Sequence, residues 1–393
     1  MLQAKTLEGK LMTLAILTRE ELKKLKQENK LFFCPTCSQQ VIIKAGLQMI
    51  PHFAHKSIID CPSAEGGEGA YHEQGKLLLY QWFRAQGITV QLEAFLPEIN
   101  QRPDLLLTLN NKRIVVEYQC ARIPVELIQQ RNEGYKSAGI TPIWILGANR
   151  LKRQTGNHFK ADQFTLQFLH KFSTKYPLIL YYFCPETLQF ITIQDSYLTK
   201  IGQAAGKINA AKLNMIGFTD IFKQQSFDPD EIYQLWKKEK RQFRLKARKH
   251  LFGSELAWHQ WLYLKGTHLE YLPSIIHLPN ASAHWMKTPG WNWQSRLCLD
   301  VIDKLSAGSS FSLKTCEYHL RKQIHNPQYF PLILSAENPI ENYLRQLCQL
   351  GIIEQLSDHT YQKQKNLTFY NSIEEALKGD DQLMNALQNK IEA

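Results

Sequence analysis

Between Ile88 and Gly147 the apolar residues come in short dense runs, ITVQLEAF, RPDLLLTL, KRIVVEYQ and TPIWILG, separated by polar or turn-forming positions. Runs of that length, rich in β-branched and aromatic residues, predict strands. Around them the period lengthens. EGAYHEQGKLLLYQWFRAQG predicts a helix ending at Gly87, with Leu78 and Trp82 on an apolar stripe and Glu68, His72 and Lys76 at i, i+4 and i+8 on another face. IPVELIQQRNEGYKSAG predicts a second helix, with Pro124 at its start and Gly139 at its end. The order is αβββαβ, an α/β core.

On either side the patterns are simpler. MLQAKTLEGKLMTLAIL alternates about an EG turn like a hairpin, and TREEL offers a capping box from Thr18 to Glu21 before a short charged helix. NRLKRQTGNHFKADQFT reads as an exposed connection, and PLILYYFC with FITIQ as a further hairpin joining the same sheet. A composition shift over TKIGQAAGKINAAK sets a boundary near residue 200, beyond which helix-like patterns dominate. The expected organisation is an N-terminal β module over 1–62, the α/β domain over 63–200 and a mainly helical domain over 201–393, winged-helix-like at 290–370.

The strand pairing can be worked out by arithmetic. A two-residue turn at Asn110-Asn111, positions that tolerate positive φ, makes every facing pair sum to 221, so Asp104 faces Glu117 and Gln119 faces Arg102. Two carboxylates side by side in an apolar sheet repel and resist ionisation unless a cation neutralises them. Oxygen ligands near solvent suit Mg²⁺ or Mn²⁺. The plainer alternative is that both acids lie at strand ends and pair with Arg102 or Arg113.

Composition narrows the class. The 393 residues are 44% hydrophobic and 21% charged, ordinary globular values that exclude general disorder. No run approaches the roughly 18–20 apolar residues of a membrane span, and LMTLAIL is followed by no cleavage-like site, so a soluble cytoplasmic protein is expected. The net charge of +11 is concentrated in the middle: Lys+Arg against Asp+Glu is 18 to 14 over 1–150, 18 to 10 over 151–270 and 11 to 12 over 271–393. Much of it comes from KKEKRQFRLKARK. There Lys237, Lys238, Lys240, Arg241, Arg244, Lys246, Arg248 and Lys249 alternate with apolar Trp236, Phe243 and Leu251 as on a basic amphipathic helix able to lie along phosphates.

Eight cysteines make no dense disulfide framework, and three fall close to histidines. Cys34-x2-Cys37 is followed after fourteen residues by His52-x2-His55, with Cys61 beyond. Two pairs separated by a β-rich stretch suit a tetrahedral structural Zn²⁺, with five candidates for four places. His52 and Cys61 are the candidates for exclusion.

The combination of P-D, then E-x-Q on the next strand, after an acid-bearing helix and before a helix and another strand, resembles the PD-(D/E)XK nuclease superfamily. The full ordered set, CPTC, HFAH, HEQGK, QRPD, VEYQ and IWILG, is similar to the competence protein CoiA family of naturally transformable Gram-positive bacteria. This resemblance over residues 1 to about 195 implies a restriction-endonuclease-like core, with Asp104 and Glu117 as ligands of a catalytic Mg²⁺ or Mn²⁺ and Glu68 as the helix acid. Glu73 is its rival, about 100° round the helix from the His72 and Lys76 stripe. Gln119 falls where most members carry lysine. An amide orients water but is no base, which leaves Lys76 as the substitute cation and His72 as a phosphate contact or water polariser. Arg131 and Tyr135, one turn apart, are either substrate-phosphate contacts or a packing pair.

The expected function is thus metal-dependent DNA cleavage in natural transformation and recombination, on single-stranded or branched DNA and with recombination or DNA-uptake proteins as partners. Two other readings stand beside it. One is an inert DNA-binding adaptor of the same fold; the other is a restriction-type enzyme that cuts duplex DNA.

Overall fold

The computed structural model describes residues 1–46, 50–56, 61, 69–246, 251–334 and 337–389. Its centre is the hairpin of β7 (Leu105–Leu109) and β8 (Lys112–Gln119), where Asn110 and Asn111 adopt φ of 49° and 60°. That turn pairs Leu109 with Lys112 and Leu105 with Val116, the register expected from a two-residue loop.

The N-terminal module comprises β1 (Gln3–Lys5), β2 (Leu11–Thr13), α1 (Arg19–Gln27), β3 (Phe32–Phe33), β4 (Gln40–Lys44) and β5 (His52–His55), its strands forming one five-stranded sheet in the order β2-β1-β3-β4-β5. Helix α1 starts on the capping box anticipated between Thr18 and Glu21. The α/β region follows as α2 (Ala70–Ala85), β6 (Thr89–Leu92), β7 (Leu105–Leu109), β8 (Lys112–Gln119), α3 (Val125–Ser137) and β9 (Thr141–Gly147). This is the expected αβββαβ order.

Strands β10 (His158–Lys160), β11 (Ile179–Cys184), β12 (Gln189–Lys200) and β13 (Gln203–Lys212), with the short α4 (Gln163–Leu166), widen the sheet to eight strands in the order β10-β13-β12-β11-β9-β8-β7-β6. Two sequence expectations change here. The supposed boundary stretch at 196–210 lies within β12 and β13, so the sheet runs through Lys212, and part of the polar 149–165 connection forms edge strand β10. Alanines are poor strand formers, but Ala204 and Ala205 are both fully buried, and as neighbours on β13 they point to opposite faces of the sheet.

The sheet is mixed: β8 runs parallel to β9, and β9 parallel to β11. Leu105, Leu107, Val116 and Tyr118 pack under α2 with Leu79 and Phe83, whereas Leu106 and Val115 pack under α3 with Tyr135. Alternation along β7 and β8 thus feeds two cores.

The C-terminal part is α5 (Pro229–Leu245), α6 (Gly253–Leu264), α7 (Gly290–Leu297), β14 (Ser310–Ser312), α8 (Leu313–Leu320), α9 (Pro339–Gln349), β15 (Ile353–Ser357), β16 (Thr360–Lys363) and α10 (Ile373–Asn389). From α7 onward the order is helix, strand, helix, helix and hairpin, with a three-stranded sheet ordered β14-β16-β15. Among the described residues no helix is long and apolar enough to cross a membrane.

Candidate functional site

The end of β7 bends away at Asp104, so its side chain leaves the strand's alternation and turns toward α2. The Tyr118 N–H donates to Asp104 Oδ2 at 2.8 Å, His72 Nε2 lies 3.4 Å from the same oxygen, and Lys76 Nζ lies 3.6 Å from Oδ1. His72 and Lys76, one turn apart on α2, therefore meet on this carboxylate. Burial alone would raise the Asp104 carboxyl; the charges of His72 and Lys76 and the hydrogen bonds from His72 and Tyr118 outweigh it and hold the carboxyl well below its usual range. His72 stacks on Tyr118, ring centroids 5.6 Å apart and 11° from parallel. Glu68 lies outside the described residues.

Glu117 belongs to the other layer. Arg131 Nη2 donates to its Oε1 at 2.6 Å, and the Tyr135 hydroxyl donates to the same oxygen. Arg131 also donates to the Arg102 carbonyl at 3.1 Å and sits 6.0 Å over the Trp144 ring. Burial, reinforced by the Glu117 charge, pushes the Tyr135 hydroxyl well above its ordinary ionisation. Arg131 and Tyr135 are both buried and both engage Glu117, the arrangement of the packing-pair reading. Each acid of the hairpin is thus met by basic groups of its own helix. Gln119 donates its amide to the Ala121 carbonyl at 2.8 Å, bracing the chain as it leaves β8.

Two more acids join the site, one of them, Glu93, unannounced by the sequence pattern. Glu93, just past β6 with φ of 51°, accepts from Lys76 Nζ at 2.6 Å and donates its own N–H to the Asp104 carbonyl at 2.8 Å. Glu73, expected off the working stripe, is buried with Oε2 3.5 Å from Lys76 Nζ. The signal for it was available: Lys76 is three residues on, and i, i+3 neighbours touch on a helix. Glu93 had no such signal. Gly75 is required by contact, since a Cβ there would lie 2.1 Å from Tyr118 Cε1.

In the N-terminal module Cys34, Cys37, His55 and Cys61 bring their ligand atoms within 4.8 Å of one another. Cys34 Sγ and Cys61 Sγ are 3.9 Å apart, and Cys37 Sγ and His55 Nε2 are 3.3 Å apart. Tetrahedral bonds of about 2.3 Å give edges of roughly 3.8 Å, so this Cys₃His set fits zinc. His52 drops out and hydrogen-bonds the Ile50 carbonyl at 3.0 Å. The reason is the strand: HFAH is β5, and residues three apart on a strand point to opposite faces.

The basic helix is partly corrected as well. Lys240 and Arg244 are buried. Lys240 Nζ donates to the Ser274 and Ile276 carbonyls, both at 2.8 Å, and lies 3.2 Å from Asp380 of α10. Burial pulls Lys240 down to about 8 despite that carboxylate. Arg244 grips Asp380 with Nε and Nη2 at 3.0 and 3.1 Å and donates to the Leu269 and Leu272 carbonyls. These two cations fasten α5 to α10 and the 269–276 loop. Lys238, Arg241 and Lys246 are exposed and Lys237 is half-buried; Arg248 and Lys249 lie outside the described residues.

Three family models match consecutive parts of the chain: the competence protein CoiA N-terminal domain over residues 14–64, its nuclease-like domain over 68–226 and its C-terminal domain over 232–377. The nuclease-like match takes in β12 and β13, as the sheet does. A curated relative, "Competence protein CoiA" of Bacillus subtilis (strain 168), is 30% identical over 360 residues, covering 88% of this chain and 92% of its own. No solved structure matches. With three family models following one another along the chain and a relative 30% identical over 88% of it, the chain belongs to the competence protein CoiA family.

Proposed function

We propose that the protein is a metal-dependent DNA nuclease acting on incoming single-stranded DNA in natural transformation, with its reacting centre at the Asp104 end of the β7–β8 hairpin. The observation that carries this reading is the convergence of His72 and Lys76 on an Asp104 carboxylate held in its charged form. An ionised carboxylate at a strand end, with a second from Glu117 on the neighbouring strand, is the oxygen donor set that suits Mg²⁺ or Mn²⁺. Asp104 would hold the ion from the α2 side and Glu117 would join it on release from Arg131 and Tyr135, and the ion would supply an activated water and stabilise charge on the phosphate.

The chain's own groups do the rest. The Lys76 ammonium supplies the fixed positive charge that Gln119 cannot, and its burial makes that charge count for more against a phosphate than it would in water. His72, stacked on Tyr118 and 3.4 Å from Asp104, would exchange a proton with the attacking water. Exposed cations on α5 would track the strand's phosphates.

A second reading, an adaptor that binds DNA without cutting it, is favoured by the engagement of Glu117 Oε1 by Arg131 and Tyr135 and of the Gln119 amide by Ala121. One assay separates the two. Purified protein is incubated with single-stranded and duplex DNA, with and without Mg²⁺ or Mn²⁺, beside Asp104→Ala and Glu117→Ala. Metal-dependent cutting lost in both variants supports the nuclease; binding without cutting on every DNA and metal supports the adaptor; cutting that survives both variants overturns the site.

A further inference from the structure

Glu93 is buried in the left-handed region, where a non-glycine residue is strained and persists only when its surroundings hold it. What holds it comes from two directions. Its N–H donates to the Asp104 carbonyl, and its carboxylate accepts from Lys76 at 2.6 Å and from the Leu2 and Gln3 N–H groups at 2.9 and 3.2 Å. Those two amides lie at the start of β1, in the N-terminal module, and the Leu2 side chain is buried in the core under α2. Residue 1 then joins the metal cluster's own strand: Phe53 N–H donates to the Met1 carbonyl at 2.8 Å, two residues before His55. An unbroken path therefore runs from the Cys₃His cluster through β5, β1 and Glu93 to Lys76 and Asp104.

We propose that Glu93 is a positioning residue which fixes the Lys76 ammonium on Asp104, and that the Cys₃His module, acting through β1, holds Glu93 in place and so completes the nuclease-like site. Lys76 is 1% exposed and has carboxylates on several sides. Glu93 makes the shortest of these contacts. Without its charge the flexible lysine stem has Glu73 as an alternative partner 3.5 Å away, and the ammonium moves off Asp104. Losing the module's fold withdraws the two amides and has the same effect.

The inference rests on the nuclease reading only for its catalytic consequence, so its test is read without activity. Full-length protein is treated with limiting acetic anhydride, and acetylation of Lys76 is followed by mass spectrometry against the exposed Lys238. In the zinc-loaded wild type Lys76 reacts about tenfold or more slowly than Lys238, because reaction needs a local opening. Glu93→Gln, which keeps the size and an acceptor oxygen, raises the Lys76 rate severalfold while Lys238 is unchanged and the melting transition stays cooperative. Chelating the zinc from the wild type does the same, and serves alone where the variant does not fold. An unchanged Lys76 rate in Glu93→Gln or in the zinc-stripped protein overturns the proposal. A wild type that never cuts DNA would sink the nuclease reading and leave this result standing; an active one loses kcat in Glu93→Gln with KM unchanged.

Discussion

Asp104 and Glu117 extend the register of one hairpin, yet Asp104 is held by His72 and Lys76 of α2 while Glu117 is held by Arg131 and Tyr135 of α3. The repulsion that makes adjacent carboxylates improbable in a sheet is answered twice over by the protein, once from each helical layer. A metal binding here would join charges already balanced, and the two halves of the site can be perturbed separately.

The Glu117 half is structural as well as chemical. Arg131→Ala leaves a buried carboxylate without its guanidinium, which costs about 3–5 kcal/mol, whereas Tyr135→Phe removes a hydroxyl that donates to Glu117 and accepts from Arg131 and costs about 1–2 kcal/mol. Urea unfolding of the single variants and the double variant checks this. A double-variant loss smaller than the sum is expected, because both groups act on the same oxygen.

The Asp104 half should appear in the pH dependence of stability. Its folded carboxyl lies below the ordinary value, so it stabilises the fold fully above the unfolded carboxylate range and loses that contribution as pH falls through the folded value. Asp104→Asn is expected to cost about 1–3 kcal/mol at pH 7, with the gap to wild type narrowing below about pH 4. Denaturation series at the two pH values measure it. A gap that widens on acidification would contradict the sign.

Zinc content distinguishes the ligands. One zinc per chain is expected by elemental analysis, lost in Cys34→Ser, Cys37→Ser, Cys61→Ser or His55→Ala and kept in His52→Ala, whose ring lies outside the cluster. Loss of metal on changing His52 would overturn the assignment.

Gly75→Ala sets helix propensity against packing. Alanine in a helix interior is worth about 1 kcal/mol over glycine, but the new Cβ would sit 2.1 Å from a tyrosine ring that is itself buried, and overpacking costs about 1–3 kcal/mol. Net destabilisation is expected. Because Tyr118 carries the His72 ring, the change should also lower any nuclease activity beyond its effect on stability, which activity per folded molecule would reveal.

How much of this was legible depends on where each residue sits relative to a periodic element. The β7–β8 register followed from Asn-Asn alone, because a two-residue turn leaves one pairing. The direction of Asp104 did not, since it lies one residue outside β7, where strand alternation no longer applies. Glu93 sits in a loop at positive φ and is held from residues 2 and 3, a contact about ninety positions away that no local pattern carries. Between His52 and Cys61 the spacing makes no choice; the strand does, because HFAH is β5 and His52 and His55 point to opposite faces. In KKEKRQFRLKARK the charge count hid a buried stripe. Trp236, Lys240, Phe243 and Arg244 follow helical spacing, so two of the six described cations point inward.

That division within α5 gives the sharpest test of DNA contact. Lys238 and Arg241 are exposed, three residues apart on the face opposite Trp236 and Lys240. Replacing both with alanine should leave stability within about 0.5 kcal/mol, as for most surface changes. If they meet phosphates, each lost contact lowers the slope of log affinity against log salt by about 0.7 on single-stranded DNA. Arg244→Ala should behave oppositely. It strips Asp380 and three loop carbonyls of their shared donor, costs about 3–5 kcal/mol, and weakens DNA binding only as far as it unfolds α5 and α10. Fluorescence anisotropy with a labelled oligonucleotide across a salt series, beside thermal melts of the same samples, distinguishes the two. An unchanged salt slope in the Lys238/Arg241 variant would remove α5 from the DNA path and leave it as the strut that joins α10 to the loop at 269–276.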